Sequence, residues 1–432
     1  MKVAVIGGGS TYTPELVDGV ARLGDQVKVS ELVLVDPDTD RLSVVGPVSA
    51  RIMKRYGHPA QVRWTSDLDA GLDGAGSVLL QLRVGGQAAR RRDESWPLQC
   101  GCVGQETTGA GGFAKALRTV PVVLDIAERA RQLAQPGAWI VDFTNPVGIV
   151  TRALLDAGHR AVGLCNVAIG FQRHFASLLG VAPEQVSLDH VGLNHLTWER
   201  AAVVDGRDRL PELIAAHADD LAGHTGLPSY VLSKLQAVPS YYLRYYYAHD
   251  AVVAEERVRP TRAEEVARLE RELLAMYGDP ALDRKPELLA KRGGAFYSEA
   301  AVALVASLTA DTGDTQVVNL RNAGTFSFLP DDAVIEVPAV IKAAGPVPVP
   351  LAPLAPLMRG LVAHASAYEE LAVAAALRGG RDRVVAALLA NPLVGQLDLA
   401  ERLTDLLLYE NEQFLPWASG AADGDGPGWT GA

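Results

Sequence analysis

Cysteine is scarce in this chain. Cys100, Cys102 and Cys165 are the only three among 432 residues, an odd and sparse set that argues against a disulfide framework and for a reducing compartment, so the cytoplasm is the expected location. Positive charge is also in short supply: 40 Lys and Arg stand against 51 Asp and Glu, for a net charge of -11. Such a field repels nucleic acid and anionic membranes alike, and neither is expected as a partner, although a small anion can still bind where a few arginines converge. No apolar run reaches the ~18 residues that a spanning helix needs. Met1 leads directly into Lys2 and a strand pattern, without the basic segment, apolar stretch and cleavage signature of a secretory leader. Aromatic residues make up 6% of the chain, yet five of its twelve tyrosines fall in "SYYLRYYYAHD".

What the chain does have is glycine and a regular alternation of patterns. "KVAVIGGG" is an apolar run that breaks into glycines, and "PELVDGVARL" then carries apolar residues at helical spacing with Pro14 near the helix start. A second strand, "ELVLVD", ends on Asp36, and runs ending near "SVLLQL" and "AWIVDF" alternate with helical stretches such as 114–133. Strands alternating with amphipathic helices build a parallel sheet covered on both faces. Residues 1–190 therefore read as a doubly wound, Rossmann-like α/β domain. After that the pattern changes: 187–204 reads as paired strands, and 230–249, 262–277 and 297–310 read as helices. "TQVVNL" and "AVIEVP" read as strands. "GPVPVPLAPLAP" reads as a surface connection, since each proline removes a donor and resists helix. Residues 357–415 are helical again, so 191–417 form an α+β, largely helical second domain, and 418–432 has the composition of a disordered tail.

Residues able to do chemistry cluster at a few places. In "GGGSTY", Gly7 and Gly9 occupy the first two positions of the dinucleotide fingerprint, which allow a tight turn and close approach of backbone to a pyrophosphate at a helix N-terminus; Tyr12 stands where the third glycine belongs. A purely structural turn would use the same glycines. Their position after the first strand, with Asp36 closing the second, favours a cofactor contacted by Gly7, Gly9, Ser10, Thr11 and Asp36. An acid there accepts from ribose hydroxyls, which favours NAD over its 2′-phosphorylated relative. Asn145 in "DFTNPV", and Cys165 with Asn166 in "GLCNVAIG", follow strands and precede helices, where open α/β sheets place ligands. Asn-Pro is also a common turn starter. A cysteine at a helix N-terminus favours its thiolate, a good ligand for a borderline metal, while buried packing is the plain alternative.

His190 and His195 share "DHVGLNHLTW". A metal held by one Cys and one His is incompletely ligated and leaves positions for substrate oxygens, as catalytic sites do; hydrogen-bonded structural histidines are the alternative. Tyr242, Tyr245 and Tyr246 can share a helical face and simply pack, whereas a tyrosine beside a divalent cation can have its phenol pKa lowered enough to serve as a base. Arg244, Arg262 and "ARRRDE" at 89–94 are solvated charges or, where they converge, a phosphate clamp.

These pieces occur together in an order that resembles a known family. "VIGGGSTYTPELV", "RVGG" at 83–86, "GQETTGAGG" at 104–112, "TNPV" at 144–147, "CNV" at 165–167, "GLNH" at 192–195, "YLRYYY", "RGGAFYSE" at 292–299 and "QVVNLRN" at 316–322 together resemble glycoside hydrolase family 4. The likeness runs from residue 1 to about 417, and cysteine followed by asparagine is similar to its 6-phospho-β-glucosidase branch. The implied fold is of lactate/malate dehydrogenase type. The resemblance also implies NAD, a divalent metal, usually Mn2+, a phospho-sugar substrate, and a homodimer or homotetramer. The implied route replaces the usual carboxylate pair with redox chemistry: NAD+ oxidises C3, C2 is deprotonated, the aglycone is eliminated, water adds, and C3 is reduced again.

By position, Cys165 and His195 match the metal ligands, and Tyr242 matches the C2 base, with Tyr241 the alternative one register away. Asn145 and Asn166 match contacts to sugar hydroxyls, Glu106 matches an acid near the metal, and Arg90 and Arg262 match a 6-phosphate clamp. Ala168 stands where the family often has proline, and Asn166 leaves no carboxylic acid at that position to protonate the leaving oxygen. Two other readings compete. A 2-hydroxy-acid dehydrogenase predicts net NADH production with no need of Cys165 or a metal, and a module that only senses NAD(H) predicts no turnover.

Overall fold

The computed structural model describes residues 1–294 and 296–418. Of the expected tail 418–432, all but the first residue lies outside the described residues. Six parallel strands come first: β1 (Lys2–Ile6), β2 (Glu31–Val35), β3 (Gln61–Thr65), β4 (Ser77–Leu80), β5 (Trp139–Asp142) and β6 (Ala161–Gly163), side by side in the order 3-2-1-4-5-6. Their Val/Ile/Leu content suits a surface buried on both sides. Val3, Val5, Leu32 and Leu34 enter one core, whereas Ala4, Ile6, Val33 and Val35 enter the other, which is the two-residue period of a strand covered on each face. Only β3, at the edge, shows mostly exposed positions.

A second, four-stranded sheet is built on the hairpin of β7 (Ser187–Leu193) and β8 (Leu196–Val204), flanked by β9 (Arg207–Asp208) and β10 (Val238–Pro239). The chain then returns to the first sheet. β11 (Thr315–Arg321), β12 (Val334–Lys342) and β13 (Gly345–Pro348) run antiparallel beyond β6, joined to it where Asn319 faces Gly163, and bring that sheet to nine strands. Residue 190 thus falls inside β7, and strands from both sides of it share the main sheet. Among the described residues no helix is long and apolar enough to cross a membrane.

Two expectations are corrected. Residues 230–249 do not form one helix: Ser229–Leu235 ends on Gln236 at φ 50, β10 follows, and only then do a 3-10 turn at Tyr241–Leu243 and a short helix at Arg244–Tyr247 present the tyrosines. Pro239, with no amide hydrogen to donate to the carbonyl four residues back, disfavours helix, and it pairs with Trp198 of β8 instead. The proline-rich stretch is not all connection either, because its first part is β13, an edge strand where a missing donor is tolerated. The helices expected at 262–277 and 297–310 are present. The first begins in a capping box, with Thr261 Oγ1 accepting from Glu264 N at 3.2 Å and Glu264 accepting from Thr261 N at 3.0 Å.

One buried ion pair ties three helices together. Arg118, in Gly109–Leu133, donates to both oxygens of Asp93, in Gly86–Ser95, at 2.9 and 2.6 Å, and also reaches Asn411 in Leu397–Asn411. Both charged side chains are 1% exposed. Asp93→Ala leaves a guanidinium buried without its counter-charge and is expected to cost about 3–5 kcal/mol in urea unfolding; a loss below about 1 kcal/mol would show that this pair does not tie the helices together.

Candidate active site

A cleft of about 1090 Å3 opens at the carboxyl ends of the parallel strands, lined by Gly7, Asp36, Gln81, Asn145, Asn166 and Tyr242 among others. Its cofactor-like end is built by the first turn. Gly7 sits at φ +86, and a Cβ there would lie 2.7 Å from the Gln81 carbonyl oxygen, so the backbone runs where no side chain fits. Asp36, at the end of β2, is oriented by two amides: Gly9 N donates to Oδ2 at 2.9 Å and Asp38 N donates to Oδ1 at 3.0 Å. Burial raises its pKa against those two amides.

Tyr12, in place of the third glycine, donates to Gly294 O at 2.6 Å and packs edge-on against Tyr297, which fastens those two residues to the turn. Ser10 faces the cleft. Thr11 does not. Its buried hydroxyl donates to Glu270 at 3.1 Å and accepts from Arg292 Nε at 2.7 Å, so this candidate cofactor contact is an internal tie.

At the other end Asn145 follows β5, and its Oδ1 is buried with no protein partner. Cys165 lies just beyond β6 and is 4% exposed. Burial first, and the charge of Glu336 second, push its thiol above the ordinary range, opposed by Val167 N–H, the Tyr297 hydroxyl and the Asn194 amide donating to sulfur. His195 is the second residue of the two-residue turn between β7 and β8, at φ 61. Its Nδ1 is 3.0 Å from Thr107 Oγ1, and its ring lies flat on Tyr242, with centroids 3.6 Å apart and planes 7° from parallel. Burial holds its pKa down to about 4, so the imidazole is neutral, as a metal ligand must be. Tyr242 is itself raised well above the usual phenol range, by burial and then by the adjacent Cys165. Tyr241, in contrast, is 42% exposed. Among the described residues no three His, Cys, Asp or Glu side chains converge as a closed metal cage.

The second histidine of the motif has a different environment. His190 Nδ1 is 2.6 Å from Glu199 and its Nε2 is 3.1 Å from Glu336, whose other oxygen accepts from Asn194 and Asn319 at 2.8 Å each. Burial alone would lower the His190 pKa, but the two carboxylates raise it to about 10. The charged group anchors the turn that carries the neutral one.

Glu106 lies among cations. Arg83 and Lys115 share Oε2, Lys115 at 2.7 Å, and Arg90 Nε is 3.0 Å from Oε1 and 2.7 Å from Glu94. Burial would raise Glu106, yet Arg83, Lys115 and Arg90 hold it well below the carboxylate range. Lys115 is pushed down to about 7 by burial and then by Arg83. Arg262 stands at the exposed rim, bound to Glu265 at 2.8 Å and to Lys291 O at 2.8 Å, so it shares the cleft with Arg90 but not its cage. The strip 104–107 links these parts in sequence: Gly104 N donates to Glu256 at 2.8 Å, Gln105 to the Tyr245 hydroxyl at 3.4 Å, Glu106 enters the cage, and Thr107 meets His195. Sequence reasoning missed Lys115, whose only signal was a lysine amid the apolar "GGFAKAL", and Glu336, which carried none.

Models of two regions match this chain, Family 4 glycosyl hydrolase over residues 2–181 and Family 4 glycosyl hydrolase C-terminal domain over 190–394. A "Probable 6-phospho-beta-glucosidase" of Bacillus subtilis (strain 168) is 39% identical, covering 96% of this chain and 97% of its own. The chain belongs to glycosyl hydrolase family 4. The 6-phospho-beta glucosidase from Thermotoga maritima, solved with manganese, NAD+ and glucose-6-phosphate, is 32% identical and superposes with a TM-score of 0.90 over 96% of this chain and 99% of that one. The malate dehydrogenase of Cryptosporidium parvum, at 15% identity and a TM-score of 0.53 over 87% of this chain and 98% of its own, shares the fold. In this family 4 chain the helix Val167–Leu179 forms with Ala168 buried at its second position, so proline is not needed there.

The sign of one pH effect follows from His190. Its folded pKa of about 10 exceeds its ordinary 6.5, so the stability that its pairing contributes is complete below pH 6.5 and is lost as pH rises toward 10. Urea titrations of wild type and His190→Gln should therefore converge between pH 6.5 and 10; a gap constant over that interval would mean that His190 is neutral.

Proposed function

We propose that this chain hydrolyses 6-phospho-β-glucosides through C3 oxidation, C2 deprotonation, loss of the aglycone, addition of water and re-reduction, with NAD and a divalent metal, Mn2+, as catalytic partners. The observation that carries the reading is one cleft lined by a backbone cradle for a dinucleotide and by Tyr242, with His195 stacked flat on Tyr242 and Cys165 held by the cleft residue Tyr297 behind the wall. The similarity to 6-phospho-β-glucosidases supports the substrate.

The residues present fit both groups. The space at Gly7 and the oriented Asp36 carboxylate would hold a pyrophosphate and ribose, with Ser10 beside them. A sulfur that accepts three hydrogen bonds and a neutral imidazole fixed through Nδ1 suit a borderline cation and leave room for substrate oxygens. When bound, the nicotinamide supplies a reversible hydride acceptor for C3 and the cation supplies charge stabilisation for oxygens at C2 and C3.

The chain's own groups do the rest. Asn145, whose Oδ1 is buried without a protein partner, accepts from a sugar hydroxyl, and Asn166 donates to a neighbouring one. Tyr242 removes the proton from C2. Its phenol resists ionisation in a buried site, and a cation held by Cys165 and His195 would supply the positive charge that opposes that bias. Arg90, with Arg262 at the rim, receives the 6-phosphate, and Glu106 holds Arg83, Arg90 and Lys115 in place. The same reading takes the protein as a cytoplasmic homodimer or homotetramer with no nucleic-acid or membrane partner, consistent with its net charge of -11.

p-Nitrophenyl β-D-glucoside 6-phosphate should be cleaved only with NAD+ and Mn2+ both present, and faster than its α-anomer or the unphosphorylated sugar. Activity that survives exhaustive removal of both would eliminate the redox route, and turnover of the unphosphorylated sugar alone would discard the clamp. Tyr242→Phe should lower kcat roughly 10²- to 10⁴-fold and abolish exchange of the C2 hydrogen with deuterated solvent. Retained exchange would take the base role from Tyr242.

A further inference from the structure

One aromatic ring in the cleft has no part in the chemistry above. Tyr241 precedes the proposed base and lines the same cavity, yet is 42% exposed, whereas Tyr242 and Tyr245 beside it are largely covered. It is nevertheless held firmly. Arg244 donates to its hydroxyl and sits 5.0 Å from its ring centroid, and the Tyr242 and Tyr245 rings meet it edge-on at 6.4 and 6.3 Å. Gly226 packs so closely against one ring edge that a Cβ there would lie 3.2 Å from Tyr241 Cε2. Arg244 is in turn fixed by Glu255 at 2.6 Å. A rigid aromatic surface left exposed on the wall of an open cleft is a preorganised platform for another flat or apolar-faced ring.

We propose that Tyr241 is the floor of the aglycone subsite, stacking on the ring of an aryl group or of a second pyranose joined to C1 of the phospho-sugar. The placement follows from connectivity. Tyr242 acts at C2, the glycosidic oxygen is carried by the adjacent carbon, and the ring beyond that oxygen falls about one ring-width from the base, where Tyr241 stands. Arg244, Glu255 and Glu256 border the same wall and offer partners to hydroxyls on the ring's edge. A methyl aglycone has no face to stack. The proposal assigns Tyr241 to selectivity and leaves the base at Tyr242; it rests on the glycosidase reading above.

The test compares three substrates, p-nitrophenyl and methyl 6-phospho-β-glucoside and cellobiose 6′-phosphate, with wild type, Tyr241→Ala, Tyr241→Leu and Tyr241→Phe, each supplied with NAD+ and Mn2+. Loss of the stacking face in the Ala and Leu variants should lower kcat/KM about 3- to 10-fold for a ring-bearing aglycone, and least for the methyl glycoside, with Tyr241→Phe restoring the wild-type ratio. Glucose 6-phosphate, which has no aglycone, should bind all four proteins alike, which also verifies that the variants fold; the Leu variant serves if the Ala variant does not. A loss confined to the p-nitrophenyl compound would assign the platform to aryl aglycones, and one confined to cellobiose 6′-phosphate to sugars. An equal loss on all three substrates is what a base at Tyr241 would give and would overturn the subsite. Wild type that cleaves none of the three would overturn the glycosidase reading and the subsite with it.

Discussion

A buried carboxylate holds the site together. Glu336, on β12 of the main sheet, accepts from protonated His190 on β7, from Asn194 in the turn after β7, and from Asn319 on the neighbouring β11. A charge 1% exposed is tolerated only when nearly every lone pair is answered, and here the answers come from both sheets. The hydrogen bonds that make the charge tolerable therefore also lock the β7–β8 hairpin to β11 and β12. The turn so fixed carries His195, and Asn319 lies opposite Gly163, two residues before Cys165. The two proposed metal ligands, remote in sequence, are positioned by one buried ion.

Electrostatics across the molecule run in two directions. The chain as a whole is acidic, yet Arg83, Arg90, Lys115 and Arg292 all line one cleft. Glu106 offsets the repulsion among the three cations at contact distance, although burial first and Arg83 second still push Lys115 down to about 7. The arrangement concentrates positive charge in one cleft of an otherwise acidic chain, the local field that the proposed phosphorylated ligand needs. Tight backbone packing supports it. A Cβ on Gly112 would lie 2.4 Å from the Thr107 carbonyl carbon, so the helix after the 104–107 strip lies directly against it and holds Glu106 and Thr107 in line.

Much of this was legible in the residues. The first two glycines, Asp36, the strand-ending Asn145 and the Cys165–Asn166 pair fall where an alternating α/β pattern predicts ligands, and all but Gly9 and Cys165 reach the cleft wall, those two lying directly behind it. Where reading the chain went astray, an interaction distant in sequence was responsible. Thr11 looked like a cofactor contact, but Glu270 and Arg292, more than 250 residues on, take its hydroxyl. The tyrosine run looked like one helix, but Val238–Pro239 pairs with Trp198 and Glu199 of β8 and breaks it into a turn that separates Tyr241 from Tyr242.

By itself the sequence determined what local physics can determine: the parallel sheet from the spacing of apolar runs, the ligand end of that sheet from glycines and acids after strands, and the family from motifs in a set order. Only tertiary structure decided protonation and exposure. His190 and His195 are five residues apart in one motif, and one is a buried imidazolium while the other is a neutral ring on Tyr242. Tyr241 and Tyr242 are adjacent, and one is open to the cleft while the other is covered. No pattern along the chain distinguishes either pair, because desolvation and charge are set by neighbours that the fold brings in from other strands.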